Sequence, residues 1–350
     1  MIKRIWQAAG LCGCLILAGC ETLSYYQQGL GGQMALWKAR QPIARVLENP
    51  QLSPMQKDKL QDVQRIRAFA ETELSMPVRH QYDTYADVGR RYVAWAVMAA
   101  PPYSLQPKQW CYPLVGCLDY HGFFAEIKAH RYAQALSQQG MDIYVAPVQA
   151  YSTLGWFHDS VLSGFLTLSE PDLAQLIFHE LAHQRLFFKG DTAFNESFAT
   201  AVSEEGLHRY AAAYHLDLSA WQHQQAAQAE VMHLLMKTRT KLQLFYAKGG
   251  QVSAMAEGKA KILSELKHDF AQMRAQHPGV AVYQSFVDGA NNASLASVAD
   301  YHDLVPTFMS LLQRDHGDMQ RFFADCASLR SLHPAARRQA LLVLVQSKST

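Results

Sequence analysis

The sequence His-Glu-Leu-Ala-His at positions 179–183 restricts the fold more than any other segment. Two histidines four positions apart on an α-helix lie about 40° apart around its axis, so both imidazoles can bind one metal ion. Glu180 lies beside the pair, where its carboxylate can reach a water molecule at that ion. The segment therefore requires a helix at this point in the chain and predicts a metal site on it.

The residues around the motif favour such a helix over 170–188. Ser169 is a good N-cap, Pro171 suits the first turn, and Asp172 stands three residues after the cap. Apolar side chains at helical spacing give the helix a face to bury, namely Leu173, Leu176, Ile177 and Leu181. The polar residues of the motif would then be partly buried and would need partners.

A third ligand is needed, because a catalytic zinc ion usually takes three protein ligands and leaves one position for water. The candidate is Glu196, thirteen residues after His183 and within a second predicted helix over 193–214. A turn at Gly190 and Asp191 would bring this second helix back towards the first one. The competing interpretation of Glu196 is a solvated side chain on a helix face.

These residues predict the composition of a zinc site. One Zn²⁺ ion would be held by His179, His183 and Glu196, while Glu180 would serve as the general base. Glu204 and Glu205 are competing ligands, but both lie two or more helical turns beyond Glu196.

The two segments together resemble the gluzincin arrangement of zinc peptidases, in which a glutamate from the next helix completes an HExxH site. The segment Asn-Glu-Ser-Phe-Ala at 195–199 is similar to the ligand segment of the large zinc aminopeptidases. The spacing here is shorter, and Thr200 replaces the carboxylate found four residues after the third ligand in thermolysin-like enzymes. We expect Glu204 or Asp191 to orient a ligand histidine instead.

A wider resemblance covers much of the chain. The segments 110–117, 151–157, 179–183, 194–199 and 291–293 resemble a bacterial aminopeptidase family whose members are commonly lipoproteins. The helical spacing beyond residue 169 and the few strand candidates before it predict an α+β, mainly α fold with a small sheet and a large helical C-terminal part. The resemblance implies that the core of this fold is a zincin-like metallopeptidase. It also implies peptide-bond hydrolysis by a metal-activated water. The alternative is a non-catalytic envelope lipoprotein that uses the same fold for binding or assembly.

Several roles in such a reaction stay open at the level of sequence. The group that stabilises the oxyanion could be any of Tyr151, His208, Tyr210, Tyr301 and His302, each of which could equally be a packing or surface residue. A free α-amine of the substrate could be bound by Asp159 or Glu170, although both could be structural. Residues 164–167 could form an edge strand that aligns substrate or a plain core strand. Asn291 and Asn292 could line the cleft or form a turn.

The N-terminal segment indicates secretion. Lys3 and Arg4 precede an apolar run from Ile5 to Leu17, and Leu-Ala-Gly-Cys follows at 17–20. This order predicts a signal peptide over 1–19 and resembles the lipobox of bacterial lipoproteins, which implies a lipid on Cys20. Glu21 after that cysteine favours the periplasmic face of the outer membrane by the same resemblance. The protein would therefore attach to the membrane through this lipid.

The remaining cysteines suit an oxidising compartment. Cys111 and Cys117 are close enough to close a small loop, and a disulfide is favoured over half of a zinc site because no second pair accompanies them. Cys326 is predicted to be a buried free thiol.

The rest of the chain predicts a single unit over 20–350. Helices and a small sheet occupy about 20–168, the zinc-binding helices 169–215, and a helical subdomain 216–350. The helices include 25–47 and 54–73, with a hairpin from Ser219 to Gln276 that either covers the active-site domain or presents a partner surface. The formal charge is +2, from Lys+Arg 32 and Asp+Glu 30, and gives no signature of nucleic-acid binding. A peptide is the substrate that the family resemblance implies.

Overall fold

The computed structural model describes residue 29 and residues 31–112, 116–148, 158–298 and 304–346. The predicted signal peptide 1–19 and the predicted lipidation site Cys20 lie outside these residues. Within the described parts of the chain, no helix is both long enough and apolar enough to cross a membrane. The fold class is α+β and mainly α, as the sequence predicts.

The N-terminal part is a set of helices interrupted by a short strand. Helix α1 covers 31–39, strand β1 Arg40–Pro42, helix α2 Ile43–Leu47 and helix α3 Pro54–Thr72. The prediction of one continuous helix over 25–47 is wrong for the described residues. Proline at position 42 lacks an amide hydrogen and disfavours a helical conformation at the preceding residue, so the chain extends there.

Strand β1 belongs to a three-stranded sheet. It pairs antiparallel with β2, Thr84–Ala86, which pairs in parallel with β8, Val161–Leu162. After β8 the chain forms a 3₁₀ turn over Ser163–Thr167, so the expected strand at 164–167 is wrong. Gly164 lies so close to another segment that a Cβ atom there would be 2.3 Å from the carbonyl oxygen of Arg91. This close approach leaves no room for a side chain at position 164.

A second three-stranded sheet has β3, Ala94–Ala100, at its centre. It pairs antiparallel with β6, His121–Phe123, on one side and with β7, Asp142–Val148, on the other. Helix α4, Glu126–Ser137, packs on this sheet. The hairpin of β4, Trp110–Tyr112, and β5, Gly116–Leu118, lies beside it.

The two metal-site helices follow. Helix α5 covers Glu170–Arg185 and helix α6 covers Thr192–Tyr214, close to the predicted limits. Ser169 caps α5 through its Oγ, which accepts a hydrogen bond from the backbone nitrogen of Asp172. Helix α5 ends before residue 188 because burial alternates in the next residues, as it does in an extended segment. Leu186 and Phe188 are buried, whereas Phe187 is exposed.

The C-terminal half is helical. The predicted hairpin consists of α7, Ser219–Ala247, and α8, Val252–Gln276, joined at Gly249 and Gly250, whose φ angles are both positive. A 3₁₀ turn over Pro278–Tyr283 leads to α9, Gln284–Asp288, and α10, Asn292–Ser297. The last helices are α11, Val305–Arg314, α12, Met319–Ser328, and α13, Pro334–Gln346.

Three hydrophobic cores hold these elements. The metal-helix core joins α3, α5 and α6 to the last three helices. The hairpin core lies between α7, α8 and the segment 280–295, and the sheet core lies between β3 and α4. The hairpin core therefore contains the apolar side chains of Val231, Leu234, Leu235 and Leu242. Trp221, in contrast, packs against the metal-helix core.

Candidate metal centre

The structure brings the three predicted ligands together. The Nε2 atoms of His179 and His183 are 3.1 Å apart. The Glu196 carboxylate lies 3.2 Å from His179 Nε2 and 3.6 Å from His183 Nε2. Ligand atoms on a tetrahedral zinc ion stand about 3.3 Å apart, given bonds of roughly 2.0–2.1 Å. These three side chains could therefore hold a metal ion.

Glu196 is placed by the short connection between α5 and α6. The Asn195 side chain bridges this connection, because its Oδ1 accepts from the Phe188 nitrogen at 2.8 Å and its Nδ2 donates to the Phe188 oxygen at 2.7 Å. Asp191 caps α6 by accepting from the Phe194 nitrogen. The cap and the amide bridge fix the first turn of α6, and that turn carries Glu196.

Asp191 also forms a buried ion pair with Arg337 of α13. The Arg337 guanidinium lies over the rings of Phe188 and Phe194, at 4.9 and 5.4 Å from their centroids. Because the Asp191 carboxylate is occupied by this pair and by the cap, it does not orient a ligand histidine. That expectation for Asp191 is therefore wrong.

Two polar atoms at the centre lack hydrogen-bond partners among the described residues. They are Oε2 of Glu180 and Nδ1 of His183, and both are buried. A buried carboxylate oxygen without a partner is costly unless a ligand or water satisfies it. The donor set, with the additional carboxylate beside it, fits a metal ion that keeps a water molecule.

The electrostatics of the two glutamates differ. Burial acts to raise the pKa of Glu196, but hydrogen bonds and charge from His179 and His183 outweigh it and lower the pKa to about 2. Burial raises the pKa of Glu180, and the neighbouring His179 and His183 only partly offset it. Glu196 thus stays ionised as a ligand must, whereas Glu180 has a greater affinity for a proton.

Asp159 is held against helix α5 by Gln184, and its charge adds to the rise in the pKa of Glu180. It is buried, and its Oδ2 accepts from Gln184 Nε2 at 3.1 Å. Its backbone nitrogen donates to Gln81 Oε1 at 2.7 Å. Glu170 is bound elsewhere, since its Oε1 accepts from Arg65 at 2.7 Å and from the Tyr210 hydroxyl at 2.8 Å. Of the two candidates for binding an α-amine, only Asp159 is near the centre.

The other sequence candidates stand apart from the ligands. Tyr210 is engaged with Glu170 and Arg65, and His208 is exposed and lies three turns beyond Glu196. Glu205 pairs with Arg209. Burial raises the pKa of Glu204, and His208 partly offsets this effect. Tyr151, Tyr301 and His302 lie outside the described residues.

Asn291 and Asn292 have structural contacts. Asn291 caps α10, and its Nδ2 donates to the Ile143 oxygen of β7. Asn292 is buried and accepts from the Tyr246 hydroxyl at 2.9 Å, while its Nδ2 donates to the oxygens of residues 101 and 102. These bonds connect the hairpin core to the sheet core. Asn291 therefore has a capping role and Asn292 a connecting role.

The predicted disulfide is present, since Cys111 and Cys117 face each other in the β4–β5 hairpin and are bonded. Cys326 is a buried free thiol. Burial raises the pKa of Tyr120, and the charge of Glu196 adds to this rise.

Comparison with known families assigns the chain. A family model described as "Putative aminopeptidase" matches residues 24–341. The chain belongs to this family. The family name indicates aminopeptidase activity, and the match spans the two metal-site helices and both sheets. No curated protein matches the chain, and no solved structure matches it.

Proposed function

We propose that this chain is a zinc-dependent aminopeptidase with a zincin-like core. The observation that carries the proposal is the convergence of His179, His183 and Glu196 beside the buried Oε2 of Glu180, which has no partner among the described residues. Ligands alone would suit a structural ion, whereas an additional buried carboxylate without a partner among the described residues suits a site that activates water.

The two histidines and Glu196 would hold the ion through their facing Nε2 and carboxylate oxygen atoms. When bound, Zn²⁺ supplies a Lewis acid that makes water more acidic and polarises a peptide carbonyl. Glu180 removes a proton from the attacking water as the new C–O bond forms. Glu180 then delivers that proton to the amine nitrogen as the C–N bond breaks. The raised pKa of Glu180 suits both steps, because the group must accept and release a proton.

The proposal includes the compartment. Removal of a signal peptide over 1–19 and acylation of Cys20 would tether the enzyme to the periplasmic face of the outer membrane. The Cys111–Cys117 disulfide supports an oxidising compartment, since disulfides are rare in the cytosol. The substrates would be peptides in the envelope.

The test replaces Glu180 by Gln and measures zinc content together with cleavage of a peptide library. We expect zinc to stay bound and hydrolysis to fall by about 10²–10⁴-fold, because a general base is lost while the ligands remain. Glu205→Gln is the matched control, because this glutamate lies on α6 and pairs with Arg209 away from the ligands.

Each possible outcome tests a different part of the proposal. Undiminished hydrolysis in Glu180→Gln would contradict the assigned base. A wild-type protein purified without zinc and unable to bind it would contradict the site itself. Equal cleavage of free and N-acetylated peptides would contradict aminopeptidase action, because an aminopeptidase recognises the free α-amine. Zinc binding without any hydrolysis would favour the non-catalytic envelope protein.

A further inference from the structure

Helix α1, which covers 31–39, buries one face against the rest of the protein. Leu36 belongs to the metal-helix core. Gln33, Leu36 and Arg40 also line a small cavity, together with side chains from 159–165. That segment leads into α5, which carries both ligand histidines. The inner face of α1 therefore packs against the part of the chain that precedes the metal centre.

The opposite face of α1 is exposed and largely apolar. Met34 is 51% exposed and Trp37 is 42% exposed. Lys38 is exposed beside them, because residues three and four positions apart share one side of a helix. We call this side the outer face and define it by Met34, Trp37 and Lys38. Tryptophan is enriched at membrane interfaces, since its ring is apolar and its Nε1–H is polar.

The chain around α1 is basic over a long stretch. Positions 22–47 contain no aspartate or glutamate, but they contain Lys38, Arg40 and Arg45. The whole chain, by contrast, is almost balanced, with Lys+Arg 32 and Asp+Glu 30. Lys38 and Arg45 are exposed, and neither has a carboxylate partner among the described residues. Such side chains attract anionic phospholipid headgroups.

The distance along the chain from the predicted lipidation site restricts what the outer face can meet. Cys20 stands eleven residues before the start of α1 at residue 31. Even a fully extended chain of that length spans at most about 40 Å. A lipid on Cys20 would therefore hold α1 near the bilayer, where the effective concentration of phospholipid is high. A stable protein partner would need about 800 Å² on each side, which is far more than two apolar side chains provide.

We propose that the outer face of α1 lies on the phospholipid surface to which the protein is anchored. This inference rests on the anchoring part of the proposed function, and it does not depend on the catalytic assignment. Met34 and Trp37 would enter the boundary between headgroups and acyl chains, while Lys38 and Arg45 would meet lipid phosphates. Because the inner face of α1 packs against 159–165, this contact would orient the metal centre relative to the membrane.

The test places an environment-sensitive fluorophore on Met34→Cys in the lipidated protein. Cys111 and Cys117 are bonded and Cys326 is buried, so the introduced thiol reacts selectively. The protein is reconstituted into vesicles of phosphatidylethanolamine and phosphatidylglycerol, with or without doxyl-labelled lipid as a short-range quencher. The control is Leu244→Cys, because Leu244 is 63% exposed but lies on α7. We expect doxyl lipid to remove most of the fluorescence at position 34 and almost none at position 244.

The role of charge is tested by adding Lys38→Gln and Arg45→Gln to the labelled Met34→Cys protein. The ratio of docked to undocked label, taken from fluorescence lifetimes, should fall by about 30-fold, which is about five-fold for each basic residue at an anionic surface. Lys261→Gln with Lys267→Gln is the matched control, because both lysines are exposed on α8 and their loss removes the same charge. This control should leave the ratio unchanged.

Equal quenching at positions 34 and 244 would overturn the inference, as would a ratio that the changes at Lys38 and Arg45 leave unaltered. A label at position 34 that is shielded from water but not quenched by doxyl lipid would also overturn it, because a protein would then cover the outer face. Mass spectrometry of Cys20 tests the anchoring itself. An unacylated Cys20 would refute the proposed anchoring together with this inference. An unquenched label on an acylated chain would refute this inference alone and leave the proposed peptidase intact.

Discussion

Removing one partner of the buried ion pair between Asp191 and Arg337 should destabilise the fold by about 3–5 kcal/mol. Replacing Arg337 by Met removes the charge that compensates Asp191. It also removes hydrogen bonds from the guanidinium to the backbone oxygens of Leu329 and Leu332. Both members of the pair are buried, so water cannot take over these contacts. Methionine can still fill much of the space against the neighbouring rings.

The magnitude follows from which groups are left unsatisfied. Breaking a buried ion pair by removing one partner costs about 3–5 kcal/mol, mainly because the other charge stays buried. Asp191→Asn leaves the N-cap in place, since an amide oxygen can still accept from the Phe194 nitrogen, and so isolates the charge. We expect Arg337→Met to cost about 4 kcal/mol and Asp191→Asn somewhat less. The double variant should cost less than the sum, by about 2 kcal/mol.

The assay is a double-mutant cycle by chemical denaturation, followed by circular dichroism at fixed zinc concentration. Zinc affinity measured by chelator competition gives a second readout, because the pair holds the helix turn that carries Glu196. We expect affinity to fall by about 10–100-fold, as for the loss of groups that orient ligands. Single variants that each cost less than about 1 kcal/mol, or that add without coupling, would refute the reasoning.

Two further predictions concern packing and thiol chemistry. Gly206→Ala should lower the thermal midpoint and weaken zinc binding, because the new Cβ would lie 2.8 Å from Leu74 Cδ1 and 2.9 Å from Phe178 Cδ2, next to His179. The overpacking cost of about 1–3 kcal/mol exceeds the helix-propensity gain of roughly 1 kcal/mol; an unchanged melting curve would contradict this. Cys326 should react with a thiol reagent only after denaturation, because burial raises its pKa well above the ordinary value. Rapid labelling of the native protein would show that the site opens.

Local sequence signals account for most of the metal centre. The helical spacing around 179–183, the Ser169 cap and the turn at Gly190 predict two adjacent helices, and this arrangement brings Glu196 to the histidines. These signals act within about thirty residues of sequence, so they can be recognised without knowledge of the tertiary structure.

What could not be predicted depends on contacts between distant segments. The 3₁₀ turn at 163–167 includes the close approach of Gly164 to Arg91, and no local pattern reveals this contact. Asp191 is predictable as a helix cap, but its pairing with Arg337 spans 146 residues. Tertiary packing decides such positions, and propensity does not.

The separation of the three cores has a thermodynamic consequence. A metal ion stabilises only those conformations in which α5 and α6 are assembled, so its binding free energy is linked to the metal-helix core. The α7–α8 hairpin buries most of its apolar side chains in a different core, and Trp221 near the start of α7 packs against the metal-helix core. Zinc binding would therefore raise the free energy of opening the metal-helix core more than the free energy of opening the hairpin. The hairpin would then be the cooperative unit that opens first.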